Sequence, residues 1–115
     1  MLWSLLSQNS PIIPEDLLYH EVGTVSILNK VTTEVNIHDL YLDQILFLDN
    51  IQVKFLGCWA LCDYGEKEYF ALLNIMTVDS KLELFNGWLF SKYPSLNNFE
   101  NVYYDILLLD CKLYT

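Results

Sequence analysis

Arginine is missing from the 115 residues altogether, and only six lysines stand against fifteen aspartates and glutamates. The formal charge of −9 repels phosphate backbones, and no basic stripe offsets it locally. Nucleic-acid binding is therefore not expected, and an anionic membrane surface is disfavoured for the same reason. No apolar run approaches the roughly 20 residues that a membrane-spanning helix needs, so no transmembrane segment is expected. Also missing are G-x-S-x-G, a phosphate-binding loop, H-E-x-x-H and a dinucleotide fingerprint, which removes the common enzyme classes and leaves no cofactor to expect. The opening MLWSLLSQNSPIIP is apolar, but it has neither a positive n-region nor an A-x-A cleavage site. Residues 1–21, punctuated by Pro11 and Pro14, read as an irregular segment without an export signal.

What is present is apolar and aromatic: 53% of the residues are hydrophobic, with eight Tyr, six Phe and three Trp. This length and composition fit one domain with one core, here 22–115, and the ring-rich content suits pleated surfaces better than helices. VGTVSIL (22–28) alternates, Asn29-Lys30 offers a turn, and VTTEVNI (31–37) places Val31, Thr33, Val35 and Ile37 on one face, opposite Glu34 and Asn36. DLYLDQILFLDN (39–50) fits either a helical turn or a short strand around Ile45–Leu48. IQVKFLGC (51–58) and YFALLNIMTV (69–78) read as strands, with a charged loop around Gly65 between them. Asn86-Gly87 inside LELFNGWLF predicts a hairpin, or else one strand kinked by a glycine bulge. Tyr93-Pro94 breaks pairing, SLNNFEN (95–101) has room for one helical turn, and VYYDILLLDCKL (102–113) is apolar on both faces, as a central strand is. On a regular strand Tyr103, Leu107, Leu109 and Cys111 share one face and Tyr104, Ile106 and Leu108 the other. The expected fold is all-β, an antiparallel sandwich or small barrel of about six to seven strands.

Three cysteines, Cys58, Cys62 and Cys111, leave several readings open. Cys58 and Cys62 lie about 13 Å apart on a continuous strand, and a disulfide needs Cα atoms within about 7 Å. Either can pair with Cys111. Three reduced, buried thiols are the plain alternative. Zinc is a third reading, with His20 or His38 as the fourth ligand, although C-x3-C with no second close pair matches structural zinc spacing poorly.

Phe85-x-Gly87-Trp88-x-Phe90, Pro94-x-Leu96-Asn97, Tyr104-Asp105 and Asp110-Cys111 together resemble the bacterial family DUF2155. Leu28-Asn29-Lys30-Val31-Thr32 is similar to that family's L-D-K-V-T opening, and Cys58 falls where it has R-A-C. The likeness covers about residues 24–111. It departs from the family pattern at the proline-free segment 60–68, at Asn101-Val102-Tyr103, which replaces a His-Pro, and at Leu107, where the family has Trp. The family, found mainly in alphaproteobacteria, has no assigned function. The resemblance implies a compact β domain, exported to the periplasm, with Cys58 and Cys111 as the disulfide pair and Cys62 left over. Since this chain shows no export signal, its start lies upstream or it stays cytoplasmic with reduced thiols.

Among candidate groups, Asp105 on the last strand is either a carboxylate of raised pKa working as an acid or base, or an acceptor of hydrogen bonds that fix the sheet. Asp110 has the opposite parity on a regular strand, so the two form no same-face dyad. Trp88 is expected in the core, with Gly87 supplying the kink beside it. Tyr93 and Pro94 lie in a loop, where the tyrosine can stack on a sugar or peptide. Two functions remain in view. One is a non-enzymatic envelope domain binding a protein or cell-wall-associated partner, which calls for an intact cystine and an exposed apolar patch or free strand edge. The other is a small hydrolase or ligand-binding enzyme, which calls for Asp105 and His20 or His38 within hydrogen-bond reach.

Overall fold

The structure, a computed structural model, describes residues 17–63, 65–92 and 98–113. Among them are nine strands and no helix: β1 (Leu17–His20), β2 (Val22–Asn29), β3 (Val35–Tyr41), β4 (Ile45–Leu48), β5 (Ile51–Asp63), β6 (Glu66–Thr77), β7 (Glu83–Phe90), β8 (Phe99–Glu100) and β9 (Tyr104–Lys112). They form two antiparallel sheets packed as an open sandwich. One runs β1-β5-β6-β7, with β4 paired to β5 as its fifth strand; the other runs β3-β2-β9-β8. For convenience these are sheets A and B. The segment read as irregular thus ends in a strand, β1, which lies antiparallel to the far half of β5.

Alternation along the strands fills the space between the sheets. Phe55, Leu73, Ile75 and Leu89 from sheet A meet Val25, Ile27, Ile106 and Leu108 from sheet B, all buried. Each such side chain contributes about 1.5–3 kcal/mol of transfer free energy. The ambiguous 39–50 stretch resolves into strand: β3 runs on to Tyr41, a turn places Asp43 at φ 68°, and β4 follows. Asp49, at φ 51°, turns β4 into β5.

Three expectations are corrected. The 31–37 stretch is not one strand: residues 31–34 turn, and Val35 and Ile37 face solvent at 57% and 59% exposure. Alternation sets a strand's period but not which face is covered, and β3 is an edge strand with its apolar side turned out. Second, Asn86-Gly87 is neither a hairpin nor the kink. Asn86 pairs with Asn74 and Gly87 with Leu73 inside β7, and the extra residue is Leu84. Third, β9 is not regular. Val25 pairs with Leu108 and Thr24 with Asp110, so Leu109 bulges out. Beyond that bulge Cys111 joins Tyr104, Ile106 and Leu108 on the inner face. Of the helical turn expected over 95–101, residues 95–97 lie outside the described residues, and Phe99–Glu100 is strand.

Candidate functional site

The covalent link comes first because it fixes the rest. Cys58 on β5 and Cys111 on β9 are joined by a disulfide between the sheets, with Cα atoms 5.8 Å apart. Each half-cystine follows a bulge. On β5, Phe55 pairs with Leu73 and Gly57 with Leu72, leaving Leu56 as the extra residue, just as Leu109 is on β9. Without these bulges, regular alternation would turn both cysteines outward. Gly23, beside Cys111 on β2, lets the sheets close at this point: a Cβ there would lie 2.8 Å from the Phe55 ring and 3.5 Å from Cys58 Sγ. Cys62 is exposed and outside the bond. With two sulfurs in a disulfide, the zinc reading loses its ligands, and no three His, Cys, Asp or Glu groups gather as a metal set among the described residues.

The acid–base pair does not assemble. Asp105 pairs with Leu28 on the outer face of sheet B. His38 pairs with fully buried Val25, three residues away along β2, which puts it on the opposite side. His20 lies in the other sheet opposite Cys58, its Nδ1–H donating to the Leu18 carbonyl at 3.0 Å. The bulge at Leu109 removes the strict parity between Asp110 and Asp105, but their places along β9 keep them apart. They pair with Thr24 and Leu28, four residues apart, so about 13 Å separates them and no dyad forms. Nor does Asp105 serve as a fully satisfied sheet-fixing acceptor: its buried Oδ1 has no hydrogen-bond partner among the described residues.

Other polar groups tie the sandwich together. The Tyr104 hydroxyl donates to Asp49 Oδ2 across the two sheets. This bond, with burial adding to it, pushes the tyrosine pKa up to about 12. Asp39 accepts from Lys112 at 3.0 Å and from Thr24 at 2.8 Å, which hold its carboxyl below the usual range, while Asp39 in turn raises Lys112. Burial, and then Asp110, raises Tyr69. At one end of sheet B the Leu28–Thr32 motif forms a loop in which Asn29 Oδ1 accepts from the N–H groups of Val31 and Thr32. Lys30 N–H donates to Tyr103 O at 2.8 Å, and the Lys30 ammonium pairs with Glu100. The family-like motifs, far apart in sequence, meet here.

Among the described residues, two exposed apolar features bear on binding. One is the free edge of β3. The other is the outer face of sheet A, where Trp88, expected in the core, is 39% exposed. Its ring centroid lies 5.2 Å from that of Trp59, which lies 5.2 Å from that of Tyr19. Trp59 was not singled out from sequence. Counting by twos from buried Phe55 places Trp59 inside, and only the bulge at Leu56 turns it out. Tyr93 and Pro94 lie outside the described residues.

The sequence model of the DUF2155 family, described as "Uncharacterized protein conserved in bacteria", matches residues 23–111. Over 112 residues the chain is 27% identical to Uncharacterized protein RP359 of Rickettsia prowazekii (strain Madrid E), a match covering 93% of this chain and 71% of that one. No solved structure matches it.

Proposed function

The chain belongs to the DUF2155 family, and we propose that it is a non-enzymatic, exported binding domain of the bacterial envelope. In this reading it is held shut by its cystine and docks a protein partner along β3. The observation that carries the binding role is the β3 edge. Seven residues, VNIHDLY, border sheet B with no strand beyond them among the described residues, and they contain neither lysine nor proline, two common edge protections. Val35 and Ile37 stand exposed two residues apart on one face of that edge. An extended segment of a partner adds there as a further strand, with backbone hydrogen bonds supplying affinity and the two apolar side chains supplying register. The envelope location is supported by the inter-sheet cystine, since structural disulfides persist in oxidising compartments.

The test belongs in the protein's own host. Free thiols are blocked before digestion under non-reducing conditions, and a photoreactive residue replaces Ile37. The expected result is a Cys58–Cys111 linked peptide and one discrete adduct with an envelope protein, lost when Asn36→Pro is added. Three blocked thiols sink the location, and the absence of any adduct sinks the docking edge.

A further inference from the structure

The outer face of sheet A is built differently from the β3 edge and does not depend on it. Tyr19, Trp59 and Trp88 form a continuous row of rings across it. Phe70 and Phe90, 5.6 Å apart and edge-on, lie alongside, with Leu72 between Gly57 and Trp88. Gly57, at φ 147°, makes the row possible. A Cβ there would sit 2.9 Å from the Trp59 ring and 3.1 Å from that of Tyr19, so the two rings close over bare backbone. The rings are held against one another before anything binds, which lowers the ordering cost of association.

Charge separates this face from the remainder of the molecule. Cross-strand pairing puts Lys54, Glu66, Glu68 and Glu83 on it, and Lys92 pairs with Glu66. Lys54 and Glu83 lie toward one end, and Glu66, Glu68 and Lys92 toward the other, so the aromatic centre is uncharged. The chain as a whole carries −9. An uncharged, aromatic centre is the composition of an interface core. It offers a basic partner no carboxylates to read, yet it brings no like charges together when it meets itself.

We infer that this face is the contact of a two-fold homodimer, two copies of sheet A packed aromatic row to aromatic row. The sheet is four strands wide along its main path. At about 4.8 Å per strand and about 3.3 Å per residue over eight residues, it presents roughly 500 Å² per copy. A pair therefore covers about 1,000 Å², which reaches the lower bound for a specific interface. Two sheets stacked about 10 Å apart accommodate these side chains from both sides. The net charge opposes the approach of two copies at long range, so added salt strengthens the dimer by screening.

Sedimentation velocity on the oxidised 115-residue chain, over micromolar to hundred-micromolar concentration at 50 and 500 mM NaCl, tests this. A monomer–dimer equilibrium is expected, with a dissociation constant that falls several-fold at the higher salt. Trp88→Glu places a carboxylate from each copy in the contact and is expected to leave only monomer. Asn86→Glu does the same from an exposed position on that face that supports no core packing, so its effect is independent of any loss of fold. A wild-type monomer at every concentration overturns the inference. If Trp88 is then protected from hydroxyl-radical oxidation in that monomer, the face belongs to the apolar residues 1–16 instead. Dimers that survive both substitutions overturn it as well.

Discussion

Tyr104 carries more of the fold than its position near the last turn suggests. Its ring is buried in the core, and its hydroxyl reaches Asp49 in the turn between β4 and β5 of the other sheet. Tyr104→Phe keeps the ring and removes this charge-assisted bond, which is expected to cost about 1.5 kcal/mol in urea unfolding near neutral pH. The bond also sets a pH dependence. A hydroxyl whose pKa rises from 10.0 when unfolded to about 12 in the fold contributes fully below pH 10.0 and loses that contribution as pH climbs through about 12. The stability gap between wild type and Tyr104→Phe should therefore narrow between those limits. A gap that holds constant to the upper limit contradicts the assignment. Nothing in the local sequence announced this pair. Asp49 reads as a turn residue, which it is, and a partner 55 positions away comes only from the sheets packing.

At the level of elements, the loop joining β2 to β3 shows what a short motif specifies. Asn29 holds the N–H groups of Val31 and Thr32 with its side-chain oxygen at 2.9 and 3.1 Å, and its backbone closes on Glu34 and Thr33. Asn29→Ala leaves two backbone donors to water and is expected to cost about 1–2 kcal/mol. Asn29→Asp, the residue in the family's L-D-K-V-T opening, keeps the acceptor and should unfold within about 0.5 kcal/mol of wild type. Equal destabilisation by both would move the motif's role away from this loop. The strands themselves were legible because alternation is a local property: β2, β5, β6 and β9 stand where their apolar periods place them. The facing of β3 and Trp59 was not. Leu56, Leu84 and Leu109 each slip one strand against its neighbour, and a bulge leaves no mark in an unbroken apolar run. Asp105 reads from sequence as a candidate acid or base, but the pairing of β2 separates it from His38, and His20 belongs to the other sheet.

For the whole molecule the cystine is the dominant single constraint. It closes a loop of 53 residues between the two sheets, and in the chain-entropy account removing it lowers stability by up to about 4 kcal/mol, a large part of a small domain's total. Urea unfolding of Cys58→Ser with Cys111→Ser, compared with the oxidised wild type, should show a loss of a few kcal/mol. The single variant Cys62→Ser should unfold as wild type does. If the double variant is as stable as wild type, the packing between sheets suffices without the bond, and export loses its main physical support. The family likeness had implied this pair, while spacing alone left Cys62 as an equal partner. Position along β5 decides between them: the bulge turns Cys58 and Cys62 to the same face, but Cys58 lies 5.8 Å from Cys111 between Cα atoms, and Cys62 lies about 13 Å farther along the strand.

The same bond bears on the order of events during folding. Cys58 and Cys62 are near neighbours in sequence, whereas Cys111 lies 53 residues beyond Cys58. Once β5 is extended it keeps its two thiols about 13 Å apart, too far to oxidise with each other. The strand thus guards its own thiols against each other, and the Cys58–Cys111 bond can close only in a molecule whose two sheets have already packed.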